Sequence, residues 1–204
     1  MLAEKTGRTE TDQGEDFATC DDEQQKYILV QVALRLFHEQ GFSKTSLPHI
    51  AKGAGMSLKT AQSYFSTTEE ICYLVIDCHL ENQSRQFDRI NENGNPRMRL
   101  SLFLDDLVKN ADLITRCGCP LTNLYFDVKR EDSVLSDHVA KILQNQLKWI
   151  NEQFVSIMRV EGVTDLPERL ISAIHGISVM AEATGNDKLI SNQVNQLKSW
   201  IRSM

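Results

Sequence analysis

From Gln24 the apolar residues Tyr27, Ile28, Val30, Val32, Ala33, Leu34, Leu36 and Phe37 recur at helical spacing, and the pattern stops at Gly41, where a left-handed cap would end a helix. Helical periodicity then continues along the chain. Only four prolines and ten glycines punctuate 204 residues, and no stretch alternates apolar and polar residues as a half-buried strand would. These features predict an all-α fold. With 41% hydrophobic and 25% charged residues the chain can bury a core, which excludes a fibrous or wholly disordered polymer.

A short second helix is expected from Ser46, whose hydroxyl can cap the next turn, with Pro48 near its start and Ile50 and Ala51 facing inward. Gly53 and Gly55 break it. Ser57 opens a third short helix through Phe65, and Ser66 with Glu69 or Thr67 with Glu70 can box the start of a fourth, which runs to about Ile90. After the turn at 93–96, helices are expected at about 97–114, 120–129, 133–160, 166–184 and 187–203. Asp165 and Glu168 form a capping box for the fourth of these, with Pro167 in its first turn and Gly185 at its end. The chain thus divides into a flexible acidic tail (1–22), a small helical domain (23–70) and a larger helical domain (71–204).

The net charge of −6 is unevenly spread: residues 1–23 hold two basic and eight acidic side chains, 24–76 five and three, and 77–204 fifteen and seventeen. The middle segment alone is positive, and local charge at a contact face, not overall charge, governs attraction to a polyanion. No stretch is apolar enough to span a membrane, and the N-terminal segment lacks the apolar core of a signal peptide, so a cytoplasmic protein without membrane contact is expected. Five cysteines at scattered spacings argue against a disulfide framework.

Helix, turn, short helix, glycine turn, short helix and long helix within 24–90 is the layout of a helix-turn-helix DNA-binding module, with the motif at about 46–65. The third helix would enter the major groove and present Leu58, Lys59, Gln62 and Ser63 to base edges or phosphates. Thr45 and Ser57, at the entrances of the second and third helices, offer hydroxyls and free amides to phosphate. Lys44, Ser46 and Thr60 flank the same face.

The residues go further than the layout. Ala33, Leu36, Phe37, Gly41, Phe42, Thr45, Ile50, Ala51, Ala54, Gly55, Ser57, Thr60, Tyr64, Phe65 and Glu69 with Glu70 make this segment resemble the N-terminal domain of the TetR family of bacterial transcriptional regulators. Gly118, Cys119, Pro120 and Leu121, with Asn123 and Leu124, resemble a segment in the ligand-binding domains of one TetR subgroup. The resemblance implies a phosphate contact at Tyr64, an effector-binding C-terminal domain, and a homodimer through the last two helices, about 166–203. It implies a repressor that leaves a pseudo-palindromic double-stranded operator when a small-molecule effector binds. Three positions depart from the pattern: Lys59 replaces a Gly, Gln62 a Tyr, and Thr68 a Lys, the last two being phosphate contacts in the family. Weaker or redistributed backbone contacts follow, with the salt dependence correspondingly shallow. The alternative is a TetR-like dimeric ligand-binding or scaffold protein that has lost sequence-specific DNA binding.

Phe103, Leu107, Leu121, Tyr125 and Trp149 are candidates for lining an effector cavity, with Tyr125 or His175 supplying a polar contact. The effector itself is unreadable, although the lack of a dense charge cluster favours an apolar or aromatic one. His38, His79, His138 and His175 are far apart in sequence, and no nucleophile with a base and orienting acid emerges, so no enzyme and no cofactor are expected. Cys117 and Cys119 form a lone C-x-C pair near no second pair, which is weak as a metal site and better read as packing; a thiol redox switch is the sharper alternative.

Overall fold

The computed structural model describes residues 14–131, 133–159 and 165–204, and among them the regular structure is helix throughout, in ten segments. In chain order these are α1 (Gly14–Gln40), α2 (Leu47–Gly53), α3 (Leu58–Tyr64), α4 (Thr68–Asn91), α5 (Pro96–Lys109), α6 (Ala111–Cys117), α7 (Pro120–Glu131), α8 (Ser133–Met158), α9 (Leu166–Thr184) and α10 (Asp187–Arg202). No helix among the described residues is long and apolar enough to cross a membrane.

The first helix corrects the expected tail. Residues 14–22 are helical, continuous with the apolar stripe that begins after them, and residues 1–13 of that tail lie outside the described residues. A contact from elsewhere holds this extension: the Tyr64 hydroxyl donates to Asp22 Oδ1 at 2.8 Å. The expected helix at 97–114 is two helices, α5 and α6, parted at Asn110 (φ −100°, ψ 12°), whose side-chain amide donates to the Asp106 carbonyl. Asp165 stands at the N-cap of α9 but makes no side-chain cap bond, so the expected box with Glu168 is absent. At α4 the cap is Thr67, whose hydroxyl accepts from the Glu70 amide, while Glu70 reaches back to the Ser66 amide at 2.7 Å.

Two apolar clusters hold the helices together. The first joins α1–α4 through Leu29, Ala33, Phe37, Ile50, Ala51, Phe65 and Val75, and it also takes Leu124 and Val128 of α7 and Leu135, Val139 and Ile142 of α8. The second joins the end of α4 to α5, α6, α9, α10 and the later half of α8, around Ile90, Leu104, Ile150, Phe154, Leu170 and Ile190. The small domain therefore shares a continuous core with α7 and the first half of α8. Two hydrogen bonds cross the same junction: His38 Nε2 donates to the Gly118 carbonyl at 3.0 Å, and the Phe42 amide donates to Asp127 Oδ2 at 2.8 Å.

Candidate DNA-binding face and ligand cavity

The short helices α2 and α3 are set by their ends. The Ser46 amide donates to His49 Nδ1 at 3.3 Å, so His49 fills the place of a capping-box acid at α2. Ser57 Oγ accepts from the Thr60 amide at 3.0 Å and lies 2.7 Å from Thr60 Oγ1, fixing the start of α3. Between them Gly55 takes φ +69°, a backbone conformation that a Cβ would strain. Ala61 is the buried anchor of α3, Tyr64 at its end is half-buried, and residues 58–60, 62 and 63 face outward.

Leu58, Lys59, Thr60, Gln62 and Ser63 are all exposed on α3, with Ser57 at its cap and Lys44 before α2. Leu58 is 40% exposed, which leaves an apolar contact available at the start of the helix. Ser46 and Thr68 are half-buried at the starts of α2 and α4. Thr45 departs from expectation. It is buried, and its hydroxyl donates to the Gly41 carbonyl at 2.8 Å while accepting from Gln40 Nε2 at 3.0 Å. That hydroxyl ties the end of α1 to the start of α2 and is turned away from any phosphate. Tyr64 is half-buried against the first core, and its bond to the Asp22 carboxylate raises the phenol pKa above its ordinary value.

The C-terminal helices enclose a cavity of about 400 Å³ against α1 and α4. Of the residues expected to line it, Phe103, Leu107, Leu121 and His175 do so. Trp149 does not: it stacks on Phe87 at a centroid distance of 4.7 Å, behind Phe103, and its indole N–H donates to Asn91 Oδ1. Tyr125 also lies elsewhere, with Lys129 Nζ donating to its hydroxyl at 3.0 Å. Each has its polar atom satisfied away from the cavity, which the spacing of apolar residues could not reveal.

The lining that sequence reasoning missed is mostly polar. His79, Asn82 and Gln86 form one stripe along α4, Asn110 and Gln146 add amides, and His38 reaches in from α1. The stripe was visible in principle as an i, i+3, i+7 polar row on the long helix. Three histidines far apart in sequence, His38, His79 and His175, thus meet at one cavity. Burial, aided by the nearby His38, pushes His79 down to about 4, and burial also lowers His175. Asp106, the one acid on the wall, is raised by burial but more strongly lowered by hydrogen bonds from Lys109 and Gln86 and by the charges of Arg89 and Lys109, so its carboxyl ends below the ordinary range.

Cys119 lines the cavity as a half-buried thiol, and Cys117 lies beside α7, its carbonyl accepting from Asn123 Nδ2. Among the described residues no three His, Cys, Asp or Glu side chains converge as a metal site.

Residues 29–72 match the family model described as bacterial regulatory proteins, tetR family. An uncharacterized HTH-type transcriptional regulator of Bacillus subtilis strain 168, YfiR, is 30% identical over 88 residues, covering 43% of this chain and 42% of that protein. The chain thus matches less than half the length of that relative. Solved structures extend the likeness of fold to both domains. A tetR-family regulator from Agrobacterium tumefaciens superposes with a TM-score of 0.78 at 13% identity, covering 87% of this chain and 97% of that one. The reduced form of NemR from Escherichia coli gives 0.71 at 14% identity, covering 86% and 96%. Residues 29–72, folded as helix, turn and exposed α3, thus match the DNA-binding segment of bacterial regulatory proteins of the tetR family, and the remaining helices take the fold of those solved regulators.

Proposed function

We propose that this protein is a homodimeric transcriptional repressor that holds a pseudo-palindromic operator through α3 and releases it when a small molecule enters the cavity. One observation carries the reading. The cavity wall is shared between His38 and His79 of α1 and α4 and residues of α5 to α9, so an occupant touches the helices that position α3. Occupancy then favours whichever tilt of α4 admits the ligand, and the spacing of two α3 helices across a dimer changes with it. The DNA-contacting set is Lys44, Ser46, Ser57, Leu58, Lys59, Thr60, Gln62, Ser63, Tyr64 and Thr68, without the Thr45 hydroxyl. The operative units are the small domain at 23–70 and the larger one at 71–204, acting in the cytoplasm. Dimerisation is assigned to α9 and α10, where Val179 and Met180 are 56% and 51% exposed on α9.

A second reading has its own support. Asp22 occupies the Tyr64 hydroxyl, and Gln62 and Thr68 stand where the family carries a tyrosine and a lysine, which suits a dimer that binds ligand without reading sequence. Fluorescence anisotropy with DNA from the region upstream of the coding sequence and from its flanking intergenic regions separates the two. Retention that survives random-sequence competitor establishes operator binding; binding that competitor erases at every fragment supports the second reading.

A further inference from the structure

Several polar atoms on the cavity wall are matched within the protein. Ser178 Oγ donates to the Ile174 carbonyl, and Asp106 is held by Arg89, Lys109 and Gln86. Two are not. Gln146 Oε1 and His175 Nδ1 are buried without a hydrogen-bond partner, and both side chains line the cavity. A buried acceptor or imidazole nitrogen left unpaired is disfavoured unless something else supplies the bond. The same cavity is lined by the apolar side chains Phe103, Leu104, Leu107 and Ile174.

Charge narrows the chemistry further. No lysine or arginine is among the described residues lining the cavity, and the histidines His79 and His175 are kept neutral by burial at pH 7. An organic anion would find no counter-charge there. A cation would find only Asp106, already paired with two basic groups. Either ion would shed water without recompense, and that penalty exceeds the gain from apolar contact.

We propose that the cavity takes an uncharged ligand with an apolar body and a hydroxyl group, of the alcohol or phenol class, which donates to Gln146 Oε1 or bonds to His175 Nδ1. A hydroxyl suits both positions because it donates and accepts, and so serves the imidazole in either tautomer. The volume of about 400 Å³ corresponds to room for about a dozen water molecules, the scale of a one- to three-ring molecule. This inference rests on the cavity being the effector site of the proposed regulator.

The test is calorimetric titration of the full chain, without DNA, with 2-naphthol, naphthalene, 2-naphthoate and 2-naphthylmethylammonium. The expected result is binding of 2-naphthol at least tenfold tighter than either ion and than naphthalene. Gln146→Met and His175→Leu, combined, should erase the preference of naphthol over naphthalene, because the hydroxyl partners are removed. Replacing unpaired polar atoms by apolar ones of similar size favours folding if anything. Should the double variant fail to fold, the ranking of the four probes on the parent chain decides alone. Equal or tighter binding of naphthoate or the ammonium, an undiminished naphthol preference in the folded variant, or no binding of any probe overturns the assignment. Naphthol that binds as expected yet leaves operator retention unchanged counts against the regulatory reading and not against the chemistry of the cavity.

Discussion

Acid should weaken this fold through His79 before it touches the carboxylates. Burial holds the imidazole neutral, with a pKa of about 4 against an ordinary 6.5, and the groups around it on the cavity wall are His38, Asp106, His175 and the Cys119 thiol. Its folded pKa is depressed, so between pH 6.5 and about 4 the unfolded chain binds a proton at this site that the folded chain refuses. Stability must then rise with pH across that window and fall on acidification. At ~1.4 kcal/mol per tenfold change in proton activity, the folded state should lose about 2 kcal/mol from this one residue between pH 7 and pH 5. His79→Gln removes the titration and keeps a neutral polar side chain. Urea unfolding followed by circular dichroism at pH 7, 6 and 5, at one protein concentration so that association is constant, should show the parent losing about 2 kcal/mol more than the variant over that range. Parallel pH profiles for the two proteins would refute the argument, because they would mean that the imidazole is as easily protonated in the fold as in water.

Three further outcomes are expected. Lys59→Glu should abolish operator retention at moderate salt while helicity and oligomeric state stay unchanged, since the side chain is exposed on α3; normal retention would remove Lys59 from the interface. Asp22→Ala should tighten DNA binding and bring the Tyr64 phenol back toward its ordinary pKa, because the carboxylate both occupies the hydroxyl and repels phosphate; unchanged affinity with a shifted tyrosine titration would show that Tyr64 touches no DNA. Gly118→Ala should cost about 1–3 kcal/mol or more in thermal unfolding, since φ 72° with ψ −170° is open almost only to glycine and a Cβ would run into Glu182 Oε2 and Asn123 Nδ2. An alanine variant as stable as the parent would show that Gly118 is not locked in that conformation.

The local layout was legible because each end of the short helices is written in adjacent residues. Ser57, Thr67, Gly55 and Gly185 act over three or four positions, and the structure puts a cap or a positive φ at each. The apolar face of α1 was equally readable, since Ala33 and Phe37 need only a partner, whichever it is. What escaped depended on which partner each side chain finds in the folded chain, which residue type and periodicity do not encode. Thr45 looked like a phosphate ligand until Gln40 and Gly41 closed around its hydroxyl, and the extension of α1 over residues 14–22 carries no apolar periodicity of its own. The cavity was read from its apolar side chains, and an aromatic such as Trp149 satisfies the same pattern whether it faces a ligand or stacks on Phe87. Its polar half, joined from α1, α4, α8 and α9, has no sequence signature beyond the row on α4.

The position of that cavity bears on how a ligand could be felt by α3. Of the two core clusters, one packs α1 to α4 on α7 and the start of α8, and the other packs α5, α6, α9 and α10 on the end of α8. The cavity lies where they meet, walled by Phe103, Leu104, Ile114 and Ile174 of the second and by His38 and His79 on helices of the first. Packed interiors shift as units, so an occupant at such a seam moves one cluster against the other more readily than it deforms either. The links that would report the movement are at the end of α1, where His38 holds the Gly118 carbonyl and the Phe42 amide holds Asp127. Both bonds lie within ten residues of the start of α2, and Gln40, Gly41 and Thr45 bind that interval into one rigid turn. A ligand that displaces Pro120 and Leu121 therefore acts on α2 and α3 through α1 as well as through the tilt of α4. Two parallel connections to the same motif resist its free rotation, which is the condition for ligand occupancy to select between discrete placements of α3 and not a continuum of them.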